Sequence, residues 1–320
     1  MMTVLKVISL NPLRMGKSAY KKYASFQHSS LAIMSCFMMM GSNLYAGLTQ
    51  EEIDAFYTKG YVIVRQMYNS DEIKKISDCA ERLEEETEKL GKSLGEGAIH
   101  KVMHKGTQFV IENEKGQIGI HRIVWVGAIE PALLELGRKK ELLECVGQLL
   151  EDDKGDHLIN QLHFKRPQKD KTVEFVPHQD IENRIAFDPD WNNGNGKSFV
   201  QTLIAVDKMT ETNGPIKVIE GIPAEGNLEL KKITSKKEVE KKVHKYGPWK
   251  TITLEPGDVL FTHPLSIHKS ERTSAREEMD KRRLFINGFA RVGANHKPYP
   301  GEGSGQQINF PFSKNTVISK

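Results

Sequence analysis

Glu255-Pro-Gly-Asp-Val-Leu-Phe-Thr-His-Pro-Leu-Ser-Ile-His268 is the stretch on which the reading of this chain turns. Pro256 and Gly257 supply turn chemistry, because proline presets φ and glycine accepts backbone angles other residues avoid. Val259 to Thr262 is a short β-branched and aromatic run, as in a strand. Pro264 has no N–H to give to a ladder, so the chain bends there and a short return ends at His268. Turn, strand, bend and return in so few residues belong to antiparallel sandwiches and barrels, not to βαβ units.

The same texture extends on both sides. Leu158 to Phe164, Thr172 to Val176, Phe199 to Val206, Ile216 to Ile219, Thr251 to Leu254 and Leu284 to Phe289 read as strands. Arg166-Pro167, Asn192 to Gly196 and Asn213-Gly-Pro215 separate them as turns. Upstream, Thr49 and Glu52 form a capping box before Ile53, Phe56 and Tyr57, Gly60 stops that helix, and Tyr61 to Arg65 reads as a strand. Asn69 to Glu72 caps a longer helix with Ile73, Ile76, Ala80 and Leu83 on one face. Residues 91 to 120 give weak signals, and Pro131 to Leu150 is helical with a break at Gly137. Lys231 to Lys245 reads as a solvated loop or helix face. The expectation is an α+β, mainly β domain over residues 48–320, with helices buttressing a β-core at about residues 158–292.

Composition narrows the function. The 320 residues are 38% hydrophobic and 28% charged, with 46 basic against 42 acidic side chains. That excludes disorder, collagen and coiled coil as whole-chain descriptions. Without a basic stripe interleaved with aromatics no nucleic-acid partner is expected, and without a long apolar run no membrane. Cys36, Cys79 and Cys145 are too few and too scattered for a disulfide framework, which fits a reducing compartment and a cytoplasmic location. A small-molecule substrate is the expected partner, and oligomeric state is not legible. Residues 1–47 stand apart, with basic residues from Lys6 to Lys22, an apolar run from Leu31 to Met40 and a small residue at Ala46. The outline is signal-like, but Leu44 stands where a second small residue is wanted. The expectation is a disordered or mis-called extension.

Chemistry can gather around His178-Gln-Asp180, at the end of a strand-like run. Residues two apart on a strand share a face, so both side chains can reach one metal ion. Alone the pair is a weak signal. His268 can supply a third ligand, and two imidazoles with one carboxylate leave half an octahedron open, the arrangement that suits Fe(II) and O2. Arg282 opens the next strand, and a guanidinium pairs a carboxylate with two parallel hydrogen bonds.

These stretches resemble one family. Phe164-Lys-Arg-Pro167, Pro177-His-Gln-Asp180, Ile204-Ala-Val-Asp207 with Asn213-Gly214, Gly257-Asp-Val-Leu-Phe261 and His263-Pro-Leu-Ser-Ile-His-Lys-Ser270 are similar to the phytanoyl-CoA dioxygenase family of Fe(II)/2-oxoglutarate oxygenases. Leu48 to Glu52 and Gly60 to Val64 resemble its N-terminal helix and strand. The resemblance covers most of residues 48–292. It implies a double-stranded β-helix, or jelly roll, with His178, Asp180 and His268 holding iron. It further implies that Arg282 binds 2-oxoglutarate with Ser270 nearby, that O2 is consumed, and that a small organic substrate is hydroxylated with release of succinate and CO2. Related halogenases leave the Asp180 position to Gly or Ala, so Asp180 favours hydroxylation. Leu203 stands where the family often has Trp.

Other readings stay beside these. His263 is the alternative to His268. Arg272, Arg276 and Arg283 are alternatives to Arg282, although Arg283 should face away from the barrel and be dispensable. Lys165 either assists 2-oxoglutarate or ends a strand. His163 and His121 read as packed or surface histidines, Trp191 and Phe187 as pocket or loop packing, Asn160 and Gln161 as pocket candidates. The rival functions are a jelly-roll protein that binds a small molecule without turnover, and a cupin-like metal-dependent isomerase.

Overall fold

Thr49 starts the ordered architecture by exchange: its hydroxyl accepts from the Glu52 N–H, while the Glu52 carboxylate accepts from the Thr49 N–H at 2.8 Å. The computed structural model describes residues 47–170 and 173–312. The expectations for residues 1–46, Cys36 included, and for the start of a strand at Thr172 lie outside the described residues. The elements are α1 Gln50–Lys59, β1 Tyr61–Val64, α2 Ser70–Gly91, β2 Ile99–His104, β3 Thr107–Glu114 and β4 Gln117–Val124. Then follow α3 Pro131–Leu136, α4 Lys140–Leu150, β5 Lys154–Lys165, β6 Phe175–His178, α5 Asp180–Phe187, β7 Phe199–Ala205 and β8 Ile216–Ile219. The last are α6 Lys236–His244, β9 Trp249–Ile252, β10 Val259–Thr262, β11 Ile267–Ser270, β12 Arg282–Arg291 and β13 Gln306–Asn309.

Two antiparallel sheets face each other. The larger has nine strands in the order β1-β10-β7-β12-β5-β4-β3-β2, with β13 also on β5; the smaller runs β6-β11-β8-β9. From β5 onward the chain passes repeatedly between the sheets, which makes the jelly roll. Leu203, Leu284 and Ile286 of the large sheet pack with Ile216, Val218 and Ile252 of the small one. On the outer face α4 lies against β7 and β12, and α2 against β3 and β4. That two-sided cover is why β7 is apolar without alternation, every residue in it being buried. Among the described residues no helix is long and apolar enough to cross a membrane.

The weak stretch 91–120 holds two hairpin strands, β2 and β3, and the start of a third, β4. Its turns are two-residue loops at Lys105-Gly106 and Lys115-Gly116, with φ of 46° and 76°, then 54° and 81°. Positive φ at both positions is the hairpin turn usually written Asn-Gly or Asp-Gly. Lysine in the first place hid it. The lysine-rich stretch is partly a helix, α6, whose Val239 and Val243 are buried with Leu228, Leu230 and Ile267 against the small sheet.

Arg283 needs correction. It does face away from the barrel, but it is buried, and its guanidinium meets the Asp207 carboxylate with two 2.8 Å contacts and Ser77 Oγ with a third at 2.9 Å. It pins β12 to α2 and is not dispensable. Arg166 plays the same part elsewhere: fully buried, it donates to Asp170, Glu84, Glu88 and the Ile118 carbonyl. This ties α2, β4 and the end of β5 into one network. Removing one member of a buried ion pair strands the other charge, typically at about 3–5 kcal/mol. Arg166→Ala should therefore lower the free energy of unfolding by that amount, read from the midpoint of urea denaturation; Arg283→Ala should shift the midpoint the same way.

Candidate metal and cosubstrate site

His178 and His268 are cross-strand partners. In the β6–β11 ladder His268 sits directly opposite His178, their rings 4.3 Å apart between centroids. Asp180 is not on the strand, contrary to the sequence expectation. β6 ends at His178 and Asp180 is the first residue of α5. The chain turns through Gln179, a fully buried residue whose amide is fully engaged. Its Nε2 donates to the Leu265 carbonyl at 2.7 Å and the Gly226 carbonyl at 3.0 Å, and its Oε1 accepts from the Leu228 N–H at 2.7 Å. The Ile181 N–H adds a bond to the Pro264 carbonyl at 3.0 Å. These contacts clamp the His178–Asp180 corner to the bend that precedes His268.

The donor atoms converge. His178 Nε2 lies 3.7 Å from Asp180 Oδ1, and His268 Nε2 lies 3.7 Å from Asp180 Oδ2. These distances are too long for hydrogen bonds, and all three ligand atoms fall within 4.8 Å of one another. His178 Nδ1 is 2.8 Å from the Val176 carbonyl and His268 Nδ1 3.1 Å from the Ser266 carbonyl. A carbonyl only accepts, so each Nδ1 carries the proton and each Nε2 offers a lone pair to the centre. Burial, then the neighbouring His268, pushes the His178 pKa down to about 4, so its ring is neutral near pH 7. Gln201 Nε2 donates to Asp180 Oδ2 at 2.8 Å and fixes the carboxylate. The donor set fits a divalent metal ion.

Arg282 enters the same cavity from β12. It is 1% exposed. Its Nη2 donates to the Gly214 carbonyl at 2.7 Å and to Ser270 Oγ at 3.1 Å, while its Nε is buried without a partner. Gly214 has φ of 81°, and an added Cβ would lie 3.0 Å from the Glu271 carbonyl oxygen, so this close approach requires glycine. Burial without an adjacent carboxylate pushes the Arg282 pKa down to about 10, still charged at neutral pH. A buried cation with an orphaned N–H is matched by an incoming carboxylate.

The remaining candidates divide. Ser270 lines the cavity beside Arg282, and Leu203, Gln161 and His163 line it too. His163 stacks on Phe175 with centroids 5.1 Å apart, and Gln161 Oε1 is buried without a partner. Asn160 faces the opposite side, where Oδ1 accepts from the Gly127 N–H and Nδ2 donates to Asn287. Lys165 is buried but outside the cavity lining, its Nζ donating to the Val173 carbonyl, and burial lowers its pKa to about 6. His263 packs edge-on against Phe56 and Tyr57 and belongs to no metal cluster among the described residues. His121 pairs with Glu112 at 3.1 Å. Trp191 packs in the core, and Phe187 sits edge-on to Tyr299. Sequence reading passed over Gln179, Gln201, Arg122, Arg184 and Tyr299. Asp180 and Arg184 are one helical turn apart, a spacing that could have flagged Arg184 as a neighbour of the site; no local pattern pointed to Tyr299.

Two histidines and one carboxylate converging inside a jelly roll form the class of donor set used by mononuclear non-heme iron oxygenases. The family model "Phytanoyl-CoA dioxygenase (PhyH)" matches residues 56–278. The chain belongs to that family. EctD from S. alaskensis, solved with 2-oxoglutarate and 5-hydroxyectoine, superposes at a TM-score of 0.58 with 19% identity over 83% of this chain and 88% of that one. The non-heme alpha ketoglutarate dependent carbocyclase SnoK from nogalamycin biosynthesis gives 0.57 and 16% over 83% and 96%. The non-heme alpha ketoglutarate dependent epimerase SnoN, from the same biosynthesis, gives 0.52 and 13% over 80% and 94%. These likenesses establish the shared fold. No curated protein sequence matches the chain.

His268→Ala should abolish measurable Fe(II) binding in anaerobic calorimetry. Gln201→Leu should keep the fold but weaken Fe(II) about 10- to 100-fold, the usual cost of losing a partner that orients a ligand.

Proposed function

We propose that this protein is an Fe(II)/2-oxoglutarate-dependent oxygenase that hydroxylates a small organic substrate with release of succinate and CO2. The observation that carries the reading is the meeting, in one cavity of about 440 Å³, of the His178/Asp180/His268 donor set with the buried, carboxylate-free Arg282. In this reading His178, Asp180 and His268 hold the metal on one face. Bound Fe(II) with 2-oxoglutarate supplies O2 activation for attack on an unactivated C–H bond. Arg282 pairs the far carboxylate of 2-oxoglutarate, and Ser270 holds the guanidinium in place from the side. Lys165 acts through the loop: its hydrocarbon stem lies 3.1 Å from the position a Gly214 Cβ would occupy, and so supports the carbonyl that orients Arg282. Ile159, Leu203, Leu284 and Ile286 keep the wall apolar and exclude water from the reacting centre.

Arg282 argues against an isomerase needing no dicarboxylate, since a buried unpaired cation is costly unless its ligand is an anion, and turnover separates the oxygenase from a passive binder. We place the protein in the cytoplasm, where Fe(II) and 2-oxoglutarate are plentiful; Cys79 and Cys145 are buried and in no disulfide.

Oxygen uptake should require 2-oxoglutarate and release succinate mole for mole. A product that gains one oxygen atom identifies hydroxylation, and one that gains none identifies ring closure or epimerisation instead. Arg282→Ala should raise the 2-oxoglutarate Kd at least about thirtyfold, matching the 2–5 kcal/mol typical of a truncated buried charge pair, with Fe(II) affinity nearly unchanged. Arg282→Lys should recover only part, because an ammonium cannot make two parallel bonds to a carboxylate. An Arg282→Ala variant with unaltered 2-oxoglutarate affinity would remove the basis of this reading.

A further inference from the structure

The cavity holds more positive charge than a metal site and 2-oxoglutarate can use. Besides Arg282, Arg122 from β4, Arg184 from α5 and Lys231 at the exposed mouth line it. Among the described residues no carboxylate lies within 4.0 Å of any of the three side-chain charges. The other charged lining residues are already matched. Glu174 is held by Lys236 at 2.7 Å and Arg272 at 3.1 Å, and Lys269 by Glu240 at 3.0 Å.

Arg184 is 5% exposed, yet its Nε has no hydrogen-bond partner; the half-buried Arg122 leaves its Nε unpartnered as well. The Arg184 guanidinium lies over two rings, 4.5 Å from the Tyr299 centroid and 5.2 Å from that of Phe199, which holds it flat against the cavity wall. Tyr299 senses the cluster. Burial alone would raise its pKa, but Arg184 and Arg122 outweigh that and lower it.

The charges of the proposed loaded site cancel. A divalent metal and Arg282 balance Asp180 and the two carboxylates of 2-oxoglutarate. Arg122 and Arg184 are left over, with Lys231 near them partly offset by the buried Glu182, and their mutual repulsion is a cost that an anion would relieve. Arg282 enters the cavity from β12, Arg122 from β4 on the other side of β5, and Arg184 from α5, so the cations come from separate elements. We infer that the substrate carries an oxyanion group, carboxylate or phosphate, bound by Arg122 and Arg184 beside the metal centre.

Geometry also bounds the substrate. Arg184 follows Asp180 by one turn of α5, a rise of about 6 Å, so the anchored oxyanion sits near the metal-binding carboxylate. The cavity of about 440 Å³ must take this molecule together with 2-oxoglutarate, which limits it to metabolite size.

This inference rests on the oxygenase reading, and calorimetry separates the two. Full-length protein loaded anaerobically with Fe(II) and 2-oxoglutarate is titrated with hexanoate against hexanamide, benzoate against benzamide, and phenyl phosphate against phenol. At least one anion should bind ten- to a hundredfold tighter than its neutral partner, the range expected for hydrogen bonds to a charged group. Arg184→Met and, separately, Arg122→Gln should erase that preference while Fe(II) and 2-oxoglutarate bind as in the wild type. Arg122→Gln leaves the packing of α5 untouched, so a folding defect in the Arg184 variant does not spoil the test. Equal binding of anions and neutral partners, including none of either, overturns the inference, as does a preference that survives in both variants. A loss of 2-oxoglutarate affinity in the Arg184 variant also overturns it, since the cluster would then be the cosubstrate site. If wild-type protein binds no 2-oxoglutarate but shows an Arg184-dependent preference for anions, the anion site stands and the oxygenase reading falls.

Discussion

The pairing of β11 with β6, at the register that sets His268 opposite His178, is the constraint on which the rest of the site depends. Cross-strand neighbours stand about 5 Å apart at Cβ, close enough to share one ion, and sharing it needs both Nε2 atoms free of a proton. The backbone meets that need through the Val176 and Ser266 carbonyls, each two residues before its histidine. Gln179 then converts a two-strand contact into a three-ligand site. By clamping the corner to residues 226, 228 and 265, it starts α5 where Asp180 meets both imidazoles.

The buried arginines separate by what surrounds them. Arg166 and Arg283 each meet carboxylates in two-pronged geometry, and their role ends in holding α2 against the large sheet. Arg282, Arg184 and Arg122 have cavity on one side, no carboxylate within ion-pair distance and an unpartnered Nε. Desolvating a guanidinium without compensation is unfavourable, so the second group is arranged for something that arrives later. The same physics thus divides architecture from binding within one residue type.

Much of this was legible before any coordinates. The turn at Pro256-Gly257, the strands around it and the capping boxes at Thr49 and Asn69 are local, and local chemistry formed them as expected. Hairpins β2–β4 escaped because lysine occupied the turn position that usually carries Asn or Asp. The structure brings Asp180 beside His178, but not through a shared strand face, since Asp180 begins a helix. Arg283 was placed on the right face and misjudged. Strand alternation says where a side chain points but not that Asp207 and Ser77 wait there.

The sequence by itself determined element types and the alternation that separates Arg282 from Arg283, because these follow from backbone periodicity; His178, Asp180 and His268 were singled out together by the resemblance to the family, the His-x-Asp spacing alone being a weak signal. Only the tertiary structure decided which polar groups lack partners. Whether Arg184 is one more surface cation or a buried one without a carboxylate depends on Phe199, Tyr299 and Arg122, residues brought to it from three other segments. Pairing and burial are properties of long-range contacts, and no local pattern encodes them.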